Sequence, residues 1–346
     1  MGRKFLWASL VLAPVTFVAD LLHTGHTALF ALAAVSLVPL AWLIGEATEH
    51  AAGHTGPGIG GFLNASFGNA PELIIALLAV ADGLPNVVRG SLTGSVVSNM
   101  LLVLGIALVL GPDGARLDRR SLLVQLGLVL AAVVAFLMPS VPGFHGNPER
   151  HSIAVVGIPA SLVLLALYVG VTVANLRRHH RQHEASGEVA TGWSLPVALG
   201  ALAVATAATA LISEILVHSL DAFAKAAGLS EFFVAAVIVA IVGNAAEHGG
   251  AVVIARRGNV RLATEIAISS SAQVALLVTP AVALLSFVVT PALALSFRPI
   301  ELASMGLGAV LVAAVVRDGR SRRWEGVLLV AVYVAVAIGF GLAGDR

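Results

Sequence analysis

Long apolar stretches alternate with short polar loops along the whole chain. A stretch of roughly 20 apolar residues is what an α-helix needs to cross the hydrocarbon core of a bilayer. Eleven such stretches are present, with boundaries near 5–22, 28–52, 60–81, 86–110, 121–138, 152–176, 193–219, 230–255, 263–287, 299–316 and 325–343. The pattern therefore predicts an all-α polytopic membrane protein with about 11 transmembrane helices.

Composition supports the same class. Of the 346 residues, 58% are hydrophobic and only 11% are charged, and the mean hydropathy is +0.96. A water-soluble domain of this size would need far more polar surface. The chain contains no cysteine, which excludes disulfides and thiolate metal sites.

Basic residues fall mostly on one side of the membrane when the N-terminus is placed in the cytoplasm. The cytoplasmic side then holds 15 lysines and arginines, namely Arg3, Lys4, Arg116, Arg119, Arg120, Arg177, Arg178, Arg181, Arg256, Arg257, Arg261, Arg317, Arg320, Arg322 and Arg323. The outer side holds five, namely Arg89, Arg150, Lys225, Arg298 and Arg346. This positive-inside excess predicts a cytoplasmic N-terminus and an extracytoplasmic C-terminus. We expect a multi-pass protein of the cell membrane, and the richness in arginine, alanine and glycine favours a prokaryotic inner membrane.

The first apolar stretch has two interpretations. Arg3 and Lys4 precede it, as basic residues precede the apolar core of a signal peptide. The stretch ends at Asp20, however, without a small-residue cleavage pattern. We therefore interpret it as an uncleaved transmembrane helix.

One motif occurs twice inside the apolar stretches. Gly68-Asn69-Ala70-Pro71-Glu72 is followed 175 residues later by Gly243-Asn244-Ala245-Ala246-Glu247. Five crossings separate the copies, so they run through the membrane in opposite directions, as in transporters built from inverted repeats. The predicted organisation is an N-terminal helix at 1–26, a first five-span repeat at 27–176, a cytoplasmic linker at 177–192 and a second five-span repeat at 193–346.

Each motif combines a weakened helix with a carboxylate. Glycine and asparagine are poor helix formers, and a proline such as Pro71 removes a backbone donor. An ionisable side chain at membrane depth is costly and is a functional candidate. Glu72 and Glu247, together with freed carbonyls and the amides of Asn69 and Asn244, would form an all-oxygen site for a hard cation such as Ca²⁺. The alternative is that the small residues only permit close helix packing.

Further polar residues repeat at related positions. Ser95 and Ser270 are also 175 residues apart, and Asn99 and Gln273 follow them on the same helix faces. Their role is either in the ion site or in interhelical hydrogen bonding. A third pair consists of Glu49 and Glu214, which either relay protons along an access path or are vestibule charges. His248, next to Glu247, either assists proton transfer or packs.

These residues resemble the calcium/proton exchanger family of the cation/calcium exchanger superfamily. The resemblance covers nearly the whole chain and includes Thr48-Glu49, Ser213-Glu214 and both copies of Gly-Asn-Ala-x-Glu. It implies that the ion is bound by two glutamates, helped by hydroxyl and amide side chains and by backbone at the two motif glycines, and that other glutamates line the access routes. The ion-binding set so implied is Glu72, Glu247, Ser95, Ser270, Gln273, Gly68 and Gly243, with Glu49 and Glu214 on the routes. Two departures are Pro71, where a small or hydroxyl residue is more usual, and the linker, which lacks an acidic stretch.

The sequence thus predicts a secondary active transporter that exchanges Ca²⁺, or a related divalent cation, for protons by alternating access. A sodium-coupled calcium exchanger of the same superfamily is the nearest alternative, and a passive channel is a further one. An intramembrane hydrolase is disfavoured, because neither His-Glu-x-x-His nor Gly-x-Ser-x-Gly is present. We expect no enzymatic activity, no resident cofactor and no nucleic-acid partner. The expected partners are Ca²⁺, protons and the lipid bilayer, and a homo-oligomer is compatible with the sequence.

Overall fold

The computed structural model describes residues 2–144, 151–180, 192–288, 292–294 and 296–345, with the side chains of residues 2–3, 56–62, 64–65 and 175–180 left out. The predicted linker lies mostly outside the described residues. The described residues of the first half form eight α-helices: α1 Gly2–Ser9, α2 Leu12–Leu21, α3 His26–Gly68, α4 Ala70–Ala81, α5 Pro85–Val97, α6 Leu104–Leu110, α7 Arg119–Gly143 and α8 His151–His180.

The second half contains α9 Leu195–Ala227, α10 Glu231–Phe233, α11 Ala240–Gly243, α12 Ala245–Arg256, α13 Val260–Gln273, α14 Thr279–Leu285, α15 Pro299–Val315 and α16 Arg323–Ala343. Three π-helical segments join helices: π1 Ser98–Val103, π2 Val234–Val239 and π3 Val274–Val278. Short 3₁₀ turns occupy Ser286–Val288 and Val316–Asp318. Within the described ranges no strand is present beyond a single β-bridge, so the all-α prediction is confirmed.

The number of crossings differs from the sequence prediction. Nine helices are long and apolar enough to span a membrane, and the pair Glu231–Gly243 and Ala245–Arg256, bent by 60°, raises the number to ten among the described residues. The predicted third span is divided between the end of α3 and the short apolar helix α4. The count of eleven is therefore not confirmed, whereas the polytopic helical class is.

Helix α3 is the clearest difference from the expected elements. We predicted a connection between spans at 53–59, but the structure continues as one helix of 43 residues, about 65 Å if straight. The glycines in this segment lower its hydropathy and helix propensity. Low-dielectric surroundings nevertheless favour helix, because backbone groups away from water need internal hydrogen bonds.

Contacts between helix ends place several of them on one face of the molecule. His218 Nε2, near the end of α9, lies 3.2 Å from Asp82 Oδ2, which follows α4. The carboxylate of Asp345 accepts a hydrogen bond of 3.1 Å from the backbone N–H of Glu231. The end of α4, the end of α9, the start of α10 and the C-terminal residues therefore share this face.

Aromatic contacts bring the start of α9 close to α1 and to the middle of α3 on the opposite face of the molecule. Trp193, just before α9, lies 6.0 Å from Trp7 in α1 and 4.7 Å from His50 in α3, measured between ring centroids. Helix α9 is 33 residues long and connects this face to the one that carries His218. The beginning and the end of the described chain thus lie at opposite ends of α9.

The two halves are interleaved in the core. Helix α3 packs along α9, α4 packs on α9, and α12 packs on α3. The end of the fourth predicted span, α6, packs on α16, and its counterpart in the second half, α14, packs on α8. Close approach is possible because glycines line these contacts: a Cβ built on Gly326 would lie 2.5 Å from the carbonyl oxygen of Gly105.

Candidate ion-binding site

Both motifs interrupt their helices at the asparagine. Asn69 (φ −103°, ψ 17°) ends α3 and precedes α4, and Asn244 (φ −88°, ψ 10°) ends α11 and precedes α12. Pro71 lies in the first turn of α4, where a missing backbone N–H costs nothing. In the second copy the helix is interrupted at Asn244 although no proline follows. The Gly-Asn pair therefore accompanies both interruptions, and proline accompanies only the first.

The breaks place two carboxylates at helix N-termini. Glu72 lies in the first turn of α4 and Glu247 in the first turn of α12. The positive end of the helix dipole stabilises negative charge there. The ends of α3 and α11 leave carbonyl groups without helical partners, and such groups bind cations in transporters with broken helices.

Each glutamate lies against the glycine of the other motif. A Cβ built on Gly68 would lie 3.6 Å from Oε1 of Glu247, and one built on Gly243 would lie 3.7 Å from Oε1 of Glu72. The carboxylates of Glu72 and Glu247 also interact electrostatically. The structure thus brings the two motifs together in a reciprocal arrangement.

Amide and hydroxyl side chains connect the halves around these carboxylates. Asn244 Nδ2 donates to Ser95 Oγ at 2.8 Å. Asn99 Nδ2 donates to Asn244 Oδ1 at 3.1 Å and to Ser270 Oγ at 3.0 Å. Each of these residues is at most 3% exposed, so each hydrogen bond joins groups that have lost their contact with water.

The first motif asparagine makes a corresponding contact with the second half. Asn69 Nδ2 donates to Gln273 Oε1 at 2.7 Å, and Gln273 Nε2 is 3.4 Å from Ser269 Oγ. The hydroxyl of Ser270 also interacts with the carboxylate of Glu247. Every residue that the sequence assigned to the ion site therefore lies in one cluster at the interface between the halves.

This cluster offers oxygen ligands rather than a conventional metal cage. Among the described residues no group of three or more histidine, cysteine, aspartate or glutamate side chains is placed to hold a metal. Oε2 of Glu72, Oε2 of Glu247 and Oδ1 of Asn99 are buried and accept no hydrogen bond from the described residues. Ca²⁺ takes six to eight oxygen ligands at flexible geometry, so such acceptors suit a hard cation.

Of the proposed access residues, Glu49 and Glu214 lie outside the cluster, whereas His248 lies next to it. Glu49 on α3 and Glu214 on α9 are exposed, whereas the hydroxyl residues before them, Thr48 and Ser213, are fully buried. His248 is buried beside Glu247, and its Nε2 has no hydrogen-bond partner in the described part of the chain.

Two features of the site were not predicted. Ser271 Oγ donates to the carbonyl of Val96 at 3.1 Å, and these two positions are 175 residues apart. Segments π1 and π3 also occupy related positions, since they begin three residues after Ser95 and four residues after Ser270. The run Ser269-Ser270-Ser271 could have indicated the hydrogen bond of Ser271. No residue pattern in the sequence indicates the π-helical segments. π-Helical turns are frequent at functional sites.

Comparison with known proteins assigns the chain to a family. The family model described as "Sodium/calcium exchanger protein" matches residues 25–177 and 197–341. The Ca(2+)/H(+) antiporter ChaA of Bacillus subtilis (strain 168) is 37% identical over 99% of this chain and 100% of its own length. The Ca(2+)/H(+) antiporter of Aphanothece halophytica is 31% identical over 96% of this chain and 94% of its own length.

Solved structures agree with this assignment. Native YfkE superposes with a TM-score of 0.83 at 36% identity, covering 97% of this chain and 99% of its own. The crystal structure of the H+/Ca2+ exchanger CAX gives a TM-score of 0.76 at 17% identity, covering 99% of this chain and 91% of its own, and shows the shared fold alone. The chain therefore belongs to the sodium/calcium exchanger protein family, as a multi-pass membrane protein with Ca²⁺/H⁺ antiporters among its relatives.

Proposed function

We propose that this protein exchanges Ca²⁺, or a related divalent cation, for protons by alternating access. The observation that carries the proposal is the reciprocal placement of Glu72 and Glu247 against Gly243 and Gly68. A site made in this way belongs equally to both halves of the protein, so a movement of one half relative to the other changes its access. Full-length relatives named as Ca²⁺/H⁺ antiporters support the choice of ions.

The two glutamates bind the cation in this proposal. Ser95, Ser270 and Gln273 contribute side-chain oxygens, and backbone carbonyls at Gly68 and Gly243 complete the coordination sphere. Asn69 and Asn244 hold the broken helices to the opposite half through their amides, which supports their assignment to the same site. Asn99 bridges Asn244 and Ser270 and keeps the hydroxyl in position.

Charge balance couples the two ions. Two neighbouring carboxylates repel each other, and their ionised forms are poorly solvated where little water enters. A divalent cation neutralises both charges, and two protons do the same. An empty, doubly charged site is therefore unfavourable, so the protein changes access with either Ca²⁺ or protons bound. Glu49, Glu214 and His248 are proposed to serve the path by which protons reach the site.

The proposed architecture is an N-terminal helix at 1–26 followed by inverted repeats at 27–176 and 193–346, joined by a linker at 177–192. The reciprocal packing of α6 on α16 and of α8 on α14 supports it. We assign the face that carries Trp7 and Trp193 to the cytoplasm and the face that carries Asp345 to the outside, from the positive-inside distribution. The prokaryotic inner membrane is the proposed location, which the relative from Bacillus subtilis supports.

The site needs no resident cofactor and no enzymatic chemistry for this function, since Ca²⁺ is cargo. Sodium coupling is the principal rival, because sodium/calcium exchanger structures share the fold, with a TM-score of 0.54 at 22% identity for NCX_Mj. Ca²⁺ uptake into proteoliposomes under an imposed pH gradient, with Na⁺ omitted, separates the two. Uphill accumulation that a protonophore abolishes supports the proposal. Accumulation that requires a Na⁺ gradient, or only downhill flux, overturns it in favour of a sodium-coupled exchanger or a channel.

A further inference from the structure

Two loops that are far apart in the sequence are joined by hydrogen bonds. Residues 111–120 and 316–323 together form a surface that we call the platform. Arg116 and Arg320 pair as an antiparallel β-bridge. Ser321 donates from its backbone N–H to the carbonyl of Ala115 at 2.9 Å and from its hydroxyl to the carbonyl of Pro112 at 2.7 Å. The loop between α6 and α7 is thus fixed to the loop between α15 and α16.

Acidic groups on this platform are already engaged. Asp118 binds Arg261 at 2.8 Å and caps α7. Asp318 pairs with Arg322, and Asp113 accepts a hydrogen bond of 3.0 Å from the backbone N–H of Arg323.

Five arginines remain exposed there without an ion pair among the described residues, and they are Arg116, Arg119, Arg120, Arg317 and Arg320. Like charges held together in this way repel each other. An anion placed among them would relieve that repulsion.

A cavity opens beside these charges. It is a shallow surface depression rather than an enclosed cavity, measures about 400 Å³ and is lined by Arg119, Arg120, Leu123 and Val124, all on the first turns of α7. Val124 is 54% exposed. Gly319 lies close to Arg119, since a Cβ built on the glycine would be 3.6 Å from Cβ of that arginine. The cavity therefore combines two cationic side chains with an apolar floor, which is formed by Leu123 and Val124, and it lies next to the platform.

We propose that this cavity binds the headgroup of an anionic phospholipid. The guanidinium groups of Arg119 and Arg120 hold the phosphate in bidentate hydrogen bonds, and Leu123 and Val124 contact the upper part of an acyl chain. Free phosphate would leave the apolar floor unused. The cavity lies at the start of α7, and Trp324, 60% exposed at the start of α16, is a residue type that belongs at the lipid interface. Anionic lipids attract arginines near the bilayer surface.

The test uses the purified full chain in detergent and native mass spectrometry. Phosphatidylglycerol and phosphatidylcholine with identical acyl chains are titrated separately, and inorganic phosphate is a third ligand. Wild-type protein should retain phosphatidylglycerol at about thirtyfold lower concentration than phosphatidylcholine, because the two arginines contribute about 1 kcal/mol each near an anionic lipid. Equal retention of the two lipids would overturn the proposal without any variant.

Two matched double variants locate the site. Arg119→Gln with Arg120→Gln should remove the preference for phosphatidylglycerol. Arg256→Gln with Arg257→Gln, an exposed arginine pair at the end of α12, should keep it. Loss of the preference in the control pair alone, or in both pairs equally, would contradict a specific cavity. Displacement of the lipid by inorganic phosphate at comparable concentration would identify a free-phosphate site instead and equally overturn the proposal.

Discussion

Glu247 of the second motif lies against Gly68 of the first, so that a Cβ on the glycine would be 3.6 Å from Oε1 of the glutamate. The converse contact, between Glu72 and Gly243, has nearly the same distance. Neither glycine is needed for a left-handed backbone, since neither has a positive φ. The absent side chains instead leave space beside a carboxylate and expose the carbonyl at the end of a helix.

Adding a methyl group at either glycine should weaken cation binding while the protein still folds. The separations of 3.6 and 3.7 Å are ordinary van der Waals contacts, so Gly68→Ala and Gly243→Ala do not clash. The methyl group occupies space that the cation and its ligands require. We expect the apparent Kd for Ca²⁺ to rise about tenfold in each variant, which corresponds to a loss of about 1.4 kcal/mol of binding free energy.

Gly127→Ala is the matched control for this pair, because a Cβ there meets nothing within 4 Å. Its Kd should equal that of the wild type. Unchanged Ca²⁺ affinity in both motif variants would show that the glycines do not border the ion.

Replacing either glutamate should remove exchange. Glu72→Gln and Glu247→Gln preserve size and hydrogen bonding but lose the charge that balances a divalent cation, so transport should fall by about a hundredfold or more. Uptake is measured in proteoliposomes at matched protein content. Asp221→Asn, which removes an exposed carboxylate paired with Lys225, should transport normally, since surface ion pairs contribute little. Substantial exchange by either glutamine variant would exclude that glutamate from the site.

Close packing of α5 against the second half makes a separate prediction about stability. A Cβ built on Gly94 would overlap the backbone of Ala236, in π2. Gly94→Ala therefore forces two backbones apart and should lower the free energy of unfolding by about 3 kcal/mol or more. Gly200→Ala, where a Cβ meets nothing within 4 Å, is the control. Thermal unfolding in detergent measures both, and equal midpoints would refute the close contact.

The sidedness of the chain can be checked at its end. Asp345 lies on the face opposite Trp7, and the positive-inside distribution assigns the Asp345 face to the outside. A reporter fused after Arg346 should be active only in its extracytoplasmic form. Cytoplasmic activity of that fusion would mean that the membrane orientation is reversed or that a crossing has been miscounted.

The residues of the candidate site could be predicted from the sequence more readily than the boundaries of the helices. The helix breaks at Asn69 and Asn244 follow from local chemistry, because glycine and asparagine disfavour helix whatever surrounds them. Which side chains meet across the interface, such as Asn244 with Ser95, depends on how the halves pack, and one sequence does not encode those distances in any local pattern. The continuation of α3 through 53–59 was missed because hydropathy and propensity there resemble a loop.

We propose that Ca²⁺ and protons bind to the same two glutamates. The most direct test is to measure the protons that are released when Ca²⁺ binds. Purified protein in weakly buffered detergent solution is titrated with Ca²⁺ while the pH and the bound Ca²⁺ are recorded over a range of starting pH values. If Ca²⁺ and protons share Glu72 and Glu247, binding releases protons, and acid raises the apparent Kd competitively. Release should disappear when both glutamates are replaced by glutamine. Binding by the wild type with a pH-independent Kd and no proton release would contradict the shared site.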